Sequence, residues 1–470
     1  MGRPGGLEVE RASNRSQPHS HALQLPRPGL PRRPSGGSMK YFLPDSQDLV
    51  DPSFDFDRER RSTTRLRQRD DLYAHEIFKD GVCDGLLVSK GIVDGFGATG
   101  GRYTLAQRQR LLRTGAPDFF RIENAPGAKL PIMGDCGAFT YVNEEVPPYS
   151  VDEVTEFYLD CRFDFGISVD HVILAYRPEF DEPGASIPEE LRKRQDVTLE
   201  LARQFLAKQQ GERLPFTPLG VAQGWSPKSY AHSTRELQKM GYRYIAVGGM
   251  VPLKTPDILA SLEAIDSIRG KDTRLHLLGV TRTEQLGAFA RMGVASFDST
   301  SPLRQAFKDD KDNYYTPTRT YTAIRIPQVE GNPKLQKRIM AGKVSQEKAR
   351  ELEKGCMVAM RRFDAGEVDL ESTLDVLQRY DELCDVAERR EVYREVLADR
   401  PWKSCPCDVC RTIGHHVILF RGAERNRRRG FHNTWVFYKE LQRDVEAAAI
   451  AAPRGASSRN ARTRLPEVGT

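Results

Sequence analysis

The strongest constraint on the fold is a series of eight short apolar runs, each ending in polar or glycine residues. Amphipathic stretches typical of helices separate most of these runs, and this alternation predicts an α/β fold. Eight strands favour a (β/α)8 TIM-type barrel, with a doubly wound sheet as the alternative. The predicted strands are Gly85–Ser89, Asp118–Glu123, Pro131–Asp135, Gly166–Asp170, Pro218–Gln223, Tyr244–Gly249, His276–Val280 and Ser296–Asp298. The predicted helices are Leu105–Leu112, Val151–Cys161, Pro188–Gln209, Ser229–Met240, Thr255–Ser267 and Thr283–Met292.

Polar residues stand where several of these strands end. In a parallel barrel the carboxyl ends of the strands share one rim, and active sites are built there. A carboxylate such as Asp298 is costly to place at the tip of a buried strand unless it has a task. The alternative for Asp298 is a strand-end cap or a salt bridge to Arg304. The predicted rim residues are Asp135, Asp170, Gln223, Gly248, Gly249 and Asp298.

Three of the eight cysteines lie within six residues, at Cys405, Cys407 and Cys410. This spacing suits a metal site better than a disulfide framework. His432 is the best candidate for a fourth ligand, since His415 and His416 follow the last cysteine too soon. Three thiolates and one imidazole predict a closed, structural Zn²⁺ site.

Charge and composition divide the chain of 470 residues. The net charge of +6 comes from the two tails, which carry +4 (1–38) and +3 (449–470), so the middle of the chain is at −1. A nucleic-acid surface must therefore be a local patch. The absence of a long apolar run and of a secretory signal predicts a cytoplasmic protein without a membrane span. The predicted organisation is a disordered tail (1–38), a barrel (39–325), a helical insertion (326–400), a zinc-binding subdomain closing the barrel (401–448) and a disordered tail (449–470).

Several segments resemble the queuine/archaeosine tRNA-guanine transglycosylases, and they occur in that family's order. They are Asp135-Cys-Gly-Ala-Phe139, Ala222-Gln-Gly-Trp225, Gly248-Gly-Met250, Phe297–Arg304, Cys405–Cys410 and His432-Asn433. The resemblance implies a base-exchanging enzyme in which Asp298 is the nucleophile and Asp135 the general acid/base. It also implies a set of substrate-binding residues and the four zinc ligands named above. The implied substrate-binding residues are Phe139, which stacks on the base, together with Asp170, Gln223, Gly248, Gly249 and Arg304.

Within the superfamily, the segments FLPDSQDLVDPSFDF, DGLLVSKGIVDG and MGDCGAFTYV resemble the DNA-modifying DpdA branch. This branch implies exchange of guanine in DNA for the 7-deazaguanine base preQ0, with partner proteins to open the duplex. Cys136 replaces the family's serine, and Lys254 stands where bacterial enzymes carry a glutamate that suits an aminomethyl base. A cation there would repel an aminomethyl base and tolerate a neutral nitrile. The alternatives are a tRNA-guanine transglycosylase and a non-catalytic zinc-barrel subunit, although the presence of both Asp135 and Asp298 argues against the latter.

Arginines at two places in the chain are candidates for contact with nucleic acid. Arg304 and the run Arg425, Arg427, Arg428 and Arg429 are predicted to contact phosphates, with a solvated loop as the alternative for the run. The segment Arg58–Arg69 is interpreted as a solvated face.

Overall fold

The computed structural model describes residues 39–95, 101–125, 130–280, 282–308, 311–384 and 388–451. The predicted disordered tails lie outside these residues, except for 449–451, which end a helix. Within the described ranges, no helix has the length and apolar character that crossing a membrane requires.

Eight parallel strands, paired in sequence order, close into a barrel. Closure joins β1 to β8, where Phe42 is the partner of Asp298. Apolar side chains from several strands, including Phe42, Met133 and Leu219, fill the interior. The predicted α/β barrel is thus confirmed, and the closed sheet excludes the doubly wound alternative. The strands are β1 Lys40–Pro44, β2 Gly85–Ser89, β3 Ile132–Asp135, β4 Phe165–Ile167, β5 Thr217–Ala222, β6 Tyr244–Val247, β7 Arg274–Leu277 and β8 Val294–Asp298.

One predicted strand was wrong, because 118–123 is the end of a helix followed by a short 3-10 turn. Phe119 and Phe120 are buried in packing between aromatic rings outside the barrel, so their apolar character reflects helix burial. The strand that completes the barrel in place of 118–123 is β1. Its central residues Tyr41, Phe42 and Leu43 are all buried. A strand that is covered on both faces has a continuous apolar sequence without alternation. A short run of this kind cannot be distinguished from a segment of a buried helix by its pattern alone.

Helices surround the barrel and continue into a helical region between residues 333 and 399. All six predicted helices are present within a few residues of their predicted bounds. The helices are α1 Ala74–Ile77, α2 Lys90–Asp94, α3 Leu105–Phe119, α4 Val151–Asp160, α5 Glu189–Gly211, α6 Pro227–Met240, α7 Thr255–Asp266, α8 Leu286–Arg291, α9 Ser301–Gln305, α10 Pro333–Met340, α11 Gln346–Ala365, α12 Leu370–Leu383, α13 Arg390–Asp399, α14 Pro401–Ser404, α15 Asp408–Ile413 and α16 Gly422–Ala451. Short strands β9 Tyr314–Tyr315, β10 Thr320–Tyr321, β11 Ile324–Arg325 and β12 Leu419–Phe420 form two small sheets.

The arginine run 425–429 lies in α16, and three of its four side chains are buried. Arg425 binds Glu59 and the Phe56 carbonyl, while Arg428 binds Glu424 and the Asp51 carbonyl. These contacts join α16 to the segment that follows β1. The predicted nucleic-acid role of these three arginines is therefore wrong, and so is the solvated-loop alternative. Both predictions failed because the sequence of a basic run does not show which distant residues supply buried hydrogen-bond acceptors to its side chains.

Arg429 is fully buried and donates to three backbone carbonyls. Its acceptors are Val417 (3.2 Å), Leu419 (2.9 Å) and Ala306 (2.6 Å). This side chain therefore ties α16 both to β12 and to the segment after α9. Buried carbonyls that lose their donor keep the full cost of desolvation.

Arg429→Met is expected to lower the free energy of unfolding by about 3 kcal/mol, because the methionine fills the space without replacing the donors. Thermal melting and chemical denaturation would measure the loss. Arg443→Met, on an exposed turn of the same helix, is the matched control and should leave stability unchanged. Equal stability of the two variants would contradict the anchoring role.

Candidate active site

A cavity of about 420 Å³ lies at the carboxyl ends of the barrel strands. It is lined by all six residues predicted at the rim, and by Phe139 from the turn after β3. Arg304, the remaining predicted substrate-binding residue, lies outside this cavity. Its guanidinium points to Asp48, with Nη2 at 3.3 Å from the carboxylate.

Asp298 ends β8 and is 7% exposed. Its Oδ1 accepts a hydrogen bond of 3.0 Å from the Gly279 backbone N–H and lies 3.2 Å from His276 Nε2. Two contacts on one oxygen orient the carboxyl group. Asp298 lines the cavity, and its second oxygen has no hydrogen bond to another residue that the structure describes.

His276 belongs to a polar chain inside the barrel that sequence analysis missed. The imidazole is fully buried, with Nδ1 at 2.5 Å from Ser296 Oγ, and Ser296 in turn contacts the Tyr244 hydroxyl. Because a carboxylate only accepts, the neutral tautomer consistent with this chain carries its proton on Nε2. The tyrosine and serine thus hold the histidine in the tautomer that donates to Asp298. A histidine within the apolar run HLLGV was the available signal.

Asp135 ends β3 and accepts a 3.1 Å hydrogen bond from the Gly137 N–H. Burial raises the pKa of this carboxyl to about 7, and the negative charges of Asp170 and Asp298 add to the shift. Gly137 has φ +85°, and a Cβ there would lie 2.9 Å from the Gly91 backbone. The turn after Asp135 is therefore too tight for any side chain at position 137, which explains why a glycine stands two residues after this aspartate. The carboxyl can exchange a proton near neutral pH.

Asp170 is held by two neighbours, so that both of its oxygens are engaged. The Cys136 thiol donates to Oδ1 at 3.1 Å, and Gln223 Nε2 donates to Oδ2 at 2.6 Å. The Tyr141 hydroxyl donates to the Cys136 sulfur at 3.0 Å. Burial raises the pKa of Asp170 to about 6, although these hydrogen bonds oppose the shift. The Cys136 thiol donates as a serine hydroxyl would, so the replacement of the family's serine by cysteine does not remove the donor at this position.

The Gly248–Gly249 pair leaves room for the Gln223 amide at the cavity wall. A Cβ at Gly248 would lie 2.3 Å from Gln223 Nε2. At Gly249, where φ is +74°, a Cβ would lie 2.5 Å from the Ile173 carbonyl. Any larger residue would displace the amide, so both glycines are required for packing. The backbone groups of Gly248 are themselves engaged, since its N–H donates to the Ala222 carbonyl at 3.1 Å and its carbonyl accepts from the Tyr230 hydroxyl at 2.9 Å.

Phe139 and Lys254 occupy different surroundings. The Phe139 ring is 50% exposed at the edge of the cavity, where a planar ligand could stack on it. Lys254 is exposed at the start of α7 and does not line the cavity, whereas Val251 does. The sequence argument that a cation at Lys254 acts on the incoming base is therefore not supported, because this side chain is exposed and is not part of the cavity lining.

A second cluster brings together Cys405, Cys407, Cys410 and His432, as predicted, with all ligand atoms within 4.8 Å of one another. His432 Nδ1 lies 3.7, 3.4 and 3.4 Å from the three sulfurs in chain order. A tetrahedron with bonds of about 2.3 Å to sulfur and about 2.0 Å to nitrogen has S···N edges of about 3.5 Å. These residues therefore fit one tetrahedral metal ion.

Contacts around this cluster connect it to the cavity. His432 Nε2 donates to the Tyr315 carbonyl at 2.8 Å, which leaves Nδ1 free to bind a metal. The neighbouring Asn433 donates to the Pro302 carbonyl in α9, and Gly430 packs against Leu303. Helix α9 starts three residues after Asp298, so the metal cluster supports the loop that carries this carboxylate.

Comparisons with known proteins agree with this geometry. A family model described as queuine tRNA-ribosyltransferase matches residues 178–448. The chain is also 51% identical over 409 residues to a DNA-guanine transglycosylase of Salmonella montevideo, an alignment that covers 86% of this chain and 97% of that protein. The family match includes Asp298 and the four residues of the metal cluster, whereas Asp135 and Asp170 precede it.

The raised pKa of Asp135 predicts a pH-dependent effect of Asp135→Asn. Folding favours the protonated carboxyl between the ordinary value of 3.8 and about 7, so its stabilising contribution is lost as pH rises through this window. Above pH 7 the buried charge destabilises the native state, and the neutral amide should then melt at a higher temperature than wild type. The gain should shrink toward pH 5. Exposed Asp196→Asn is the control, and a pH-independent difference for Asp135→Asn would contradict the shift.

Proposed function

The chain belongs to the queuine tRNA-ribosyltransferase family of pentosyltransferases, and we propose that it exchanges guanine in DNA for a 7-deazaguanine base such as preQ0. The observation that carries this proposal is the pair of dissimilar carboxylates in one cavity. Asp298 is oriented by two donors, whereas the pKa of Asp135 is raised to about 7. One group thus suits a nucleophile and the other an acid/base. DNA as the substrate is supported by the name of the 51%-identical relative.

In the first step a carboxylate oxygen of Asp298 attacks C1′ of the target nucleotide. A C1′–O bond to Asp298 forms as the C1′–N9 bond to guanine breaks. Protonated Asp135 gives its proton to the departing base, so guanine leaves neutral. His276 acts as a positioning residue, because its Nε2–H holds the carboxylate in line. The target base must leave its stack to enter the cavity.

In the second step the incoming 7-deazaguanine loses its N9 proton to the Asp135 carboxylate. Its N9 then attacks C1′, and the bond from C1′ to Asp298 breaks. The sequence restores both carboxyl groups to their starting protonation, and one base is released for each base taken up. A proton acceptor with a pKa of about 7 suits both directions of this transfer.

Recognition of the base is assigned to the cavity wall that adjoins the acid/base, since Cys136, the residue after Asp135, contacts Asp170. The Asp170 carboxylate can accept from the N1–H and N2–H donors shared by guanine and 7-deazaguanines. Gln223 fixes Asp170 and remains within reach of the same edge. Gly248 and Gly249 line the cavity without a side chain, so that the backbone of Gly249 can approach the base, and Phe139 offers a stacking surface.

The metal cluster is assigned to structural Zn²⁺, since Cys405, Cys407, Cys410 and His432 supply four protein ligands and leave no open position. When bound, the ion would fasten α16 to the segment 405–410 and so support the contacts of α16 with α9, which follows Asp298. A DNA substrate is compatible with the cytoplasmic location predicted from the sequence, and this location stays a prediction. Partner proteins that open the duplex stay a prediction as well.

The function is tested in cells that lack the gene, complemented with wild type, Asp298→Asn, Asp135→Asn or the exposed control Asp196→Asn. Nucleoside mass spectrometry of DNA and tRNA is the measurement. Wild type and Asp196→Asn should restore 7-deazaguanine nucleosides to DNA, whereas Asp298→Asn should lower the level by several orders of magnitude, since no covalent intermediate forms. The tRNA signal should be the same in all strains.

Loss of the modified nucleoside from tRNA instead of DNA would refute the DNA assignment and favour the tRNA activity named by the family model. Restoration of DNA modification by Asp298→Asn would refute the nucleophile. Restoration of DNA modification by Asp298→Asn and also by Asp135→Asn would leave the chain a non-catalytic subunit. Each outcome separates one part of the proposal from the others.

Zinc is expected to co-purify at one equivalent, measured by elemental mass spectrometry. Cys407→Ala should lose the metal and melt at a lower temperature, because metal binding contributes directly to folding. Cys384→Ala, which removes a buried thiol outside the cluster, is the control and should keep its metal. Full stability of metal-free Cys407→Ala would overturn the structural role.

A further inference from the structure

A groove beside the cavity, here called the arginine groove, is lined by five arginines and three acids. Its lining therefore has a net charge of +2, although the middle of the chain is nearly neutral. The volume of about 420 Å³ could hold an extended, charged ligand. The arginines are Arg61, Arg65, Arg67, Arg102 and Arg427, and the acids are Asp48, Asp71 and Glu424.

The arginine groove begins where the cavity ends. Pro44, the last residue of β1, lines the cavity, and residues 46–49 immediately after it line the groove. Arg304 crosses the same boundary, since its helix α9 starts at the cavity with Ser301 and its side chain reaches Asp48 in the groove. A ligand whose reacting end is in the cavity therefore has the groove next to it.

Buried acids fix two of the arginines from behind. Arg65 binds Asp71 through two hydrogen bonds of 2.6 and 2.7 Å and lies 3.2 Å from Asp51. Arg61 binds Glu424 at 2.9 Å. These acids are at most 5% exposed, so they neutralise and orient the guanidinium groups without facing the groove openly.

Two other arginines form no ion pair with a buried acid, although the charge of Arg102 opposes the rise in the pKa of the Asp48 carboxyl. Arg67 and Arg102 are exposed, and neither forms an ion pair or a side-chain hydrogen bond with another described residue. Ion pairs with acids explain Arg65, Arg425 and Arg428, but they do not explain these two. An exposed guanidinium offers paired N–H donors that match a phosphate.

We propose that the arginine groove binds the phosphates of the DNA strand that flank the guanine in the cavity, with Arg67 and Arg102 as the main contacts. This inference rests on the proposed function for the identity of the strand. A nucleotide in the cavity carries its phosphates across the cavity edge, and a strand presents about one charge per 3.4 Å of helix axis. The segment 58–69, interpreted from the sequence as a solvated face, is thereby assigned a binding role.

The test measures binding of a fluorescent single-stranded DNA oligonucleotide by anisotropy over a range of KCl concentrations. The full-length protein is compared with the double variant Arg67→Gln/Arg102→Gln. Loss of two phosphate contacts should weaken binding about tenfold or more at low salt and reduce the slope of log K against log salt by about 1.4. Melting temperatures should be unchanged, because both side chains are exposed.

The matched control is Arg113→Gln/Arg243→Gln, which removes the same charge from exposed positions. Arg243 directly precedes β6 and Arg113 lies late in α3, so both are at the end of the barrel opposite the cavity. The control should bind DNA like wild type, with the same slope. Equal losses in both double variants would show a general charge effect and overturn the groove assignment.

Binding and base exchange are measured separately, so the two proposals can fail independently. Wild-type DNA binding that depends on Arg67 and Arg102, without exchange in cells, would keep the groove and refute the function. Exchange in DNA with unchanged binding by the groove variant would refute the groove. Failure of wild type to bind DNA, or arginine-dependent binding of tRNA alone, would also overturn it.

Discussion

Repulsion among three carboxylates at one rim of the barrel is the constraint on which the site depends. Asp135, Asp170 and Asp298 line one cavity, and the charges of the other two carboxylates add to the cost of ionising Asp135. Each is accommodated differently. Asp298 has a backbone N–H and an imidazole, Asp170 has a thiol and an amide, and Asp135 is left with a pKa raised to about 7. Distinct environments thus assign distinct chemistry to identical side chains.

Support for Asp298 extends to distant parts of the chain. Tyr41 in β1 donates to the Ser299 carbonyl at 2.7 Å, so the first strand fixes the residue after the carboxylate. From the other side, Asn433 and Gly430 of α16 contact α9. The metal cluster is therefore coupled to the cavity by packing, although none of its ligands lines it. A structural ion can affect activity through this route without touching a substrate.

The arginines of this chain fall into two groups that composition cannot separate. Arg425, Arg428 and Arg429 of α16 are buried and donate to carbonyl or carboxylate oxygens, although the Nε atoms of Arg425 and Arg429 have no hydrogen-bond partner among the described residues. Arg67 and Arg102 are exposed without ion-pair partners among the described residues. Burial makes the first group part of the folding energetics, whereas solvation leaves the second group free to exchange water for phosphate.

Sequence alone determined the barrel class, the family, most strand ends and the composition of the metal cluster, since each depends on local periodicity or on short motifs. Asp135, Gln223 and Asp298 were predicted for this reason, and the structure brings them into one cavity. The identity of the first strand, the partners of the arginine run and the chain behind His276 were decided only by tertiary structure. Each of these depends on which distant residue supplies burial or a hydrogen-bond partner, and the chemistry of a buried group is set by that partner.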